Sequence, residues 1–164
     1  MRLKYFLFQT GDYMIRIKAD NIEDTRQIAK IFADNIKIND VLLLRGDLGA
    51  GKTTFTQALG ALLGVRKRMT SPTFNIIKSY EVDSLKVHHM DCYRLEFSDE
   101  DLGFDEYFGN GIVIVEWPDF IEEYLPEKFI NITITHDGDG RLFEIENMNL
   151  NDEIMEALDE ISFD

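Results

Sequence analysis

The stretch from Val41 to Gly64 limits the fold more than any other. Val41-Leu42-Leu43-Leu44-Arg45 is an apolar run too short for a helix, and it leads directly into Gly46-Asp47-Leu48-Gly49-Ala50-Gly51-Lys52-Thr53-Thr54. Phe55 to Gly64 then continues with a helical pattern. Strand, Gly-x-x-x-x-Gly-Lys-Thr and helix, in that order, make the setting a phosphate-binding loop requires. Glycines let successive backbone N–H groups turn inward onto phosphate oxygens, and the helix that follows aims its free N–H groups at the same anion. Lys52 supplies a positive charge to the outer phosphates, and the Thr53 hydroxyl is placed for a magnesium ion. Asp47, Leu48, Gly49, Ala50, Gly51, Lys52, Thr53 and Thr54 are therefore expected to bind a nucleoside triphosphate.

The rest of the chain predicts a mixed sheet around that loop. Residues 3–8 and 13–18 read as two strands joined by a turn at Thr10-Gly11-Asp12. Asn21 is a good N-cap for a helix that places Ile28, Ile31, Phe32 and Ile36 on one face. Strands are expected over 75–80 and 86–94, with a turn near Asp83-Ser84 between them. Ser98-Asp99-Glu100-Asp101 resembles a capping box opening a short acidic helix through about Phe108. Ile112 to Glu116 has the unbroken apolar character of a buried parallel strand. After Pro118 comes a short helix at most, and 129–135 and 141–146 form a second hairpin about Asp137-Gly138-Asp139-Gly140. A terminal helix opens at Asn151. The pattern is α/β: a single P-loop NTPase domain over 1–164, its mixed sheet having parallel core strands and antiparallel edge hairpins, flanked by helices. Residues 1–13 are expected to add an extra N-terminal strand and 147–164 a helical tail.

Composition narrows the partners. There are 31 acidic against 17 basic residues, a net charge of −14, which disfavours direct contact with nucleic-acid backbones and suits docking onto a basic partner. The basic cluster Arg66-Lys67-Arg68 reads equally as a complement to a helix C-terminus or as a docking patch. One cysteine, Cys92, excludes an intramolecular disulfide. With no apolar run of membrane-spanning length and no signal-peptide pattern, a cytoplasmic location is expected.

Phosphoryl chemistry also needs carboxylates at the carboxyl ends of strands beside the loop. Two strands end that way, at Asp91 and Glu116. One is expected to hold magnesium and the other to orient an attacking water, with the assignment open between them. Thr70, Ser71 and Thr73 around Pro72 read either as a segment sensing the γ-phosphate or as an ordinary turn. His88 and His89 are neighbours on a strand and point to opposite faces, so a shared metal site is not expected. Trp117 reads either as core or as a wall shielding the site.

Four segments together resemble one family. They are Gly46 to Phe55, Ser71-Pro72-Thr73-Phe74, His89-Met90-Asp91-Cys92-Tyr93-Arg94-Leu95 and Val113-Ile114-Val115-Glu116-Trp117-Pro118. In that order they resemble TsaE, the small ATPase of bacterial tRNA threonylcarbamoyladenosine synthesis, over roughly residues 20–146. The resemblance implies ATP and Mg²⁺ as ligands, and a TsaD–TsaB protein pair as the partner that attaches threonylcarbamoyl to an adenosine of tRNAs reading ANN codons. It implies hydrolysis that resets the complex, and contact with tRNA only through it, without a membrane. Lys52, Asp91 and Glu116 would be the catalytic residues, with Thr53, Glu116 and Asp91 at the metal. Thr25 and Arg141 would be further nucleotide contacts. The family usually starts near Met14, so the strand expected at 3–8 reads either as an extra or as a mis-assigned start.

Three other classes fit the sequence less well. A small P-loop kinase would bring lid arginines, yet only Arg94 and Arg141 follow the basic cluster. A GTPase would carry an Asn-Lys-x-Asp guanine motif, and none is present. A non-hydrolytic module that uses ATP only to set its shape is opposed by the intact Lys52, Thr53, Asp91 and Glu116.

Overall fold

The alternation of side chains along one central strand sorts the molecule into layers. The computed structural model describes residues 2–7, 13–72, 75–96, 98 and 101–161. In β3 (Val41–Arg45), Leu42 and Leu44 face one hydrophobic cluster while Val41 and Leu43 face another. A strand buried on both faces needs no polar alternation, which is why it reads as a plain apolar run.

The first cluster is covered by three α-helices, α1 (Ile22–Asn35), α2 (Lys52–Leu62) and α3 (Asp152–Asp159). α1 begins at Asn21, whose Oδ1 accepts from the Asp24 N–H at 2.9 Å, while Asp24 accepts in return from the Asp20 N–H at 2.8 Å. The first bond satisfies a free helix donor, the second fixes the chain just before the cap, and the acids of the first turn complement the dipole. Phe32 of α1 meets Phe55 of α2 edge-on at 5.5 Å between ring centroids, locking the two helices together over the sheet. α3 is capped by Asn151 and buries Ile154 and Leu158; Ile161 packs on the core just beyond it.

The opposite cluster has no α-helix over it among the described residues. It is covered by 3-10 segments at Tyr93–Leu95, Phe104–Glu106 and Pro118–Tyr124. The expected helix from Ser98 to Phe108 is thereby corrected to a single 3-10 turn, with residues 99 and 100 outside the described set. Asp101 accepts from the Gly103 N–H at 2.9 Å, and Gly103 takes a left-handed φ of 77°, which a continuing helix cannot accommodate.

The remaining strands are β1 (Arg2–Leu7), β2 (Tyr13–Ala19), β4 (Ile77–Val82), β5 (Leu85–Asp91), β6 (Ile112–Glu116), β7 (Phe129–Asp137) and β8 (Gly140–Met148). They form one eight-stranded sheet in the order β1-β2-β8-β7-β3-β6-β5-β4. β7, β3, β6 and β5 are mutually parallel, and the outer strands on both sides are antiparallel, as expected. Three boundaries differ. The strand expected at 75–80 starts at Ile77, after Ile76 with φ 60°. β5 stops at Asp91, because Asp91 Oδ1 accepts the Tyr93 N–H at 3.1 Å and turns the chain. The tail expected to be helical from 147 first completes β8. The turn at Thr10-Gly11-Asp12 lies outside the described residues. Among those residues, no helix is long and apolar enough to cross a membrane.

Candidate functional site

Parallel strands deliver their carboxyl ends to one edge of the sheet, and here the register is close. Leu44 of β3 is the Cα partner of Glu116, and Glu116 is the partner of Asp91 across β6 and β5. Both candidate acids thus stand beside the start of the loop. Backbone sterics hold the loop there. Gly46 has φ 143°, and a Cβ at this position would be driven into the Ile134 carbonyl of β7. Gly51, at φ 113°, opens α2 with no side-chain cap, leaving the first N–H groups of the helix to face the loop.

Lys52 is nearly buried, at 6% exposure, a place where lysine is found only with partners. Its Nζ donates to the Gly46 carbonyl and lies 4.1 Å from the centre of the Trp117 ring. Burial pulls the Lys52 pKa below its usual value, opposed by the negative charges of Glu116, Asp91 and Asp47 in that order. The same potential acts on Cys92, whose thiol is pushed up to about 12 by burial, with Asp91 and Glu116 adding to the shift. Glu116 is 3% exposed and is met by His89 Nε2 at 2.7 Å. Asp91 accepts from Ser71 Oγ at 2.8 Å through Oδ2. The hydroxyl-rich segment therefore reaches the acid; Thr73 and Phe74 lie outside the described residues. Thr53 and Thr54 are exposed at the start of α2, and Asp47, Leu48 and Gly49 are exposed at the loop tip.

Thr25 and Arg141 come to the same loop from the far side. Arg141, near the start of β8, is the Cα partner of Ala19 at the end of β2, and α1 with Thr25 follows immediately. Together with Gly51, Thr54, Asn21 and Phe143 they line a cavity of about 270 Å³. Arg141 Nη1 donates to its neighbour's carbonyl, Gly140 O, at 2.9 Å, yet its Nε is buried with no partner among the described residues. A buried donor left unpaired costs about 1–3 kcal/mol, so this one is set for an acceptor.

The residues present fit the expected ligands. An orphaned guanidinium donor and a buried cation beside glycines of left-handed φ suit a polyphosphate. Among the described residues no three His, Cys, Asp or Glu side chains gather as a metal cage. Two carboxylates and a hydroxyl beside a phosphate loop nevertheless match magnesium, which relies on phosphate oxygens and water for its remaining positions.

Three residues stand at the site that the sequence alone does not place among its contacts. His89 lies two residues before Asp91 on one face of β5, a period-two signal that its neighbourhood with Glu116 would have made informative. Trp117 stands at the site in a left-handed conformation with φ 55°, stacked on Phe120 at 6.1 Å between centroids. Asn21 serves both the α1 cap and the cavity wall. The cluster Arg66-Lys67-Arg68 does not cap a helix: α2 ends at Leu62 with no basic residue in its last turn, and Arg68 reaches back to Gln57 at 3.1 Å.

These features define a class: mixed α/β proteins in which a glycine-rich strand–loop–helix faces acids at the ends of parallel strands. Comparison with known proteins takes the assignment further. Residues 19–143 match the family model described as threonylcarbamoyl adenosine biosynthesis protein TsaE, and the chain belongs to the TsaE family. It is 52% identical over 120 residues to the tRNA threonylcarbamoyladenosine biosynthesis protein TsaE of Bacillus subtilis, covering 73% of this chain and 76% of that one. With the TsaE of Rickettsia felis it shares 36% identity over 118 residues, 70% of this chain and 69% of the other. A crystal structure of Bacillus subtilis YdiB superimposes with a TM-score of 0.75 at 39% identity, covering 90% of this chain and 95% of that chain. The family ties this chain to formation of threonylcarbamoyladenosine in tRNA.

Proposed function

We propose that the chain binds ATP with magnesium and hydrolyses it slowly, and that a TsaD–TsaB-type protein pair accelerates the reaction to sustain repeated rounds of tRNA threonylcarbamoyladenosine formation. The observation that carries this reading is the register that sets Asp91 and Glu116 side by side at the mouth of the Gly46–Thr53 loop. Backbone N–H groups of the loop and Lys52 hold the phosphates, with Lys52 exchanging its Gly46 carbonyl for a phosphate oxygen. Thr53 with Asp91 and Glu116 would hold magnesium, which when bound neutralises charge on the β- and γ-phosphate oxygens. Glu116 faces the attacking water and accepts its proton, while Asp91 is kept in place by Ser71 and the Tyr93 amide. Thr25 and Arg141 secure the nucleotide from the cavity on the other side of Gly51. Contact with tRNA is made through the partner complex, in keeping with the net charge of −14.

Phosphate release from ATP, measured with and without the purified partner pair, tests the reading. Slow release alone and faster release with partner is the expected result. Phosphate transferred to a small metabolite instead of water would replace it with a kinase. Loss of threonylcarbamoyladenosine from the tRNA of cells depleted of this protein tests the pathway separately.

A further inference from the structure

The two adjacent histidines of β5 are used in opposite ways. His88 has both ring nitrogens engaged, Nδ1 with Ser79 Oγ at 2.6 Å and Nε2 with the Asn110 carbonyl at 2.8 Å, so it ties β5 to its surroundings. His89 faces the helical side of the sheet between Val87 and Asp91, opposite Ile114 of β6. Its Nε2 contacts Glu116 Oε2 at 2.7 Å, both side chains being almost completely buried, and its Nδ1 has no partner among the described residues. A carboxylate oxygen only accepts, so Nε2 carries the proton and this ring serves the acid alone.

We propose that His89 is the positioning residue for Glu116: its Nε2–H fixes the carboxylate by Oε2 and leaves Oε1 as the oxygen offered to water and metal. This rests on the role proposed for Glu116 above. Donors behind a metal-binding or proton-accepting carboxylate set its orientation, and removing them typically costs about 10–100-fold in metal affinity or activity.

The test compares His89→Gln, which keeps an N–H donor, with the donorless His89→Met and His89→Phe, all in the full chain. ADP affinity is measured by calorimetry without metal and then across a magnesium titration, beside ATP hydrolysis and thermal melting. Metal-free ADP affinity should stay within about twofold in every variant, because the phosphate contacts of the loop are untouched. The donorless variants should need roughly 10–100 times more magnesium for the same tightening, or lose turnover by that factor, and His89→Gln should recover most of the loss. In a Glu116→Gln background the same changes at position 89 should have no further effect. Donorless variants that match the wild type overturn the inference. So do a Gln variant as impaired as the others, metal-free affinity that falls in parallel with turnover, or a failure to fold by both donorless variants while Gln folds. A wild type that neither binds nor hydrolyses nucleotide overturns the proposed function and this inference together; a working wild type without donor dependence overturns this one alone.

Discussion

The two halves of the sheet bring residues to the loop by different routes. In the parallel half, β3, β6 and β5 end at the same level, so Glu116 and Asp91 arrive together and buried negative charge accumulates beside Lys52. In the antiparallel half, β2 ends where β8 begins. That seam contributes a strand-start cation, Arg141, and the first helical turns that carry Thr25. Parallel packing therefore concentrates acids beside Lys52, whereas the antiparallel seam provides a cavity with a guanidinium nitrogen that has no partner among the described residues. On the function proposed above, the reacting and the retaining ends of one nucleotide would be held by two kinds of β-structure.

The sharpest way to break this division is at the parallel half. Lys52→Ala should weaken phosphate binding and reduce hydrolysis by about 10²–10³, the range for removing one preorganised donor from a reacting centre. Glu116→Ala should abolish measurable turnover, with magnesium-dependent affinity falling while metal-free ADP binding survives. Magnesium-dependent hydrolysis that is indifferent to Glu116→Ala would remove that residue from its role. Steady-state hydrolysis and calorimetry on the same preparations separate these outcomes.

Changes in the antiparallel half should act on affinity and spare the chemical step. Arg141→Ala removes a charged donor worth about 1.5–3 kcal/mol, hence an increase of roughly 10–100-fold in nucleotide dissociation constant, with turnover at saturation little changed. Thr25→Ala should weaken binding by a few fold at most, as expected for one neutral hydrogen bond. Saturating hydrolysis reduced as strongly by Arg141→Ala as by Lys52→Ala would erase the distinction between the halves.

The smallest expected effect is a proton. Burial lowers the Lys52 pKa, so just below the ordinary lysine value of 10.5 part of the empty protein carries this side chain uncharged. In that window the unfolded chain binds more protons than the folded one, so this residue's contribution to stability rises with pH. A phosphate favours the charged form, so nucleotide binding there should take up a fraction of a proton per site. Calorimetry in buffers of different ionisation enthalpy would detect it. The uptake should vanish in Lys52→Arg, whose guanidinium stays charged.

The parallel half was the legible one. β3 and β6 are short apolar runs, the loop has a fixed spacing, and Glu116 and Asp91 lie at strand ends, all local signals. Asn21 and Asn151 were equally plain as caps, because a side-chain oxygen three residues before a free N–H is a local geometry. The β2–β8 seam could not be read the same way. It pairs Ile17 with Phe143 across most of the chain, and no local pattern records which edge two hairpins will share. The helix expected after Ser98 failed for a different reason. Acidic composition suggested a capped start, but a side-chain turn at Asp101 and the left-handed Gly103 offered the backbone a competing arrangement. His89 and Trp117 became informative only once the strands beside them were known.

The place of Trp117 has a practical consequence. It is the single tryptophan of the chain, and its indole lies against the ammonium group of Lys52. Occupancy of the loop should therefore change the emission of one identifiable fluorophore, without a label and without a background from other indoles. Titrating ADP while following that emission would give affinity and association rate directly. Lys52→Met, which removes the neighbouring charge, should leave an altered baseline and a smaller change on titration.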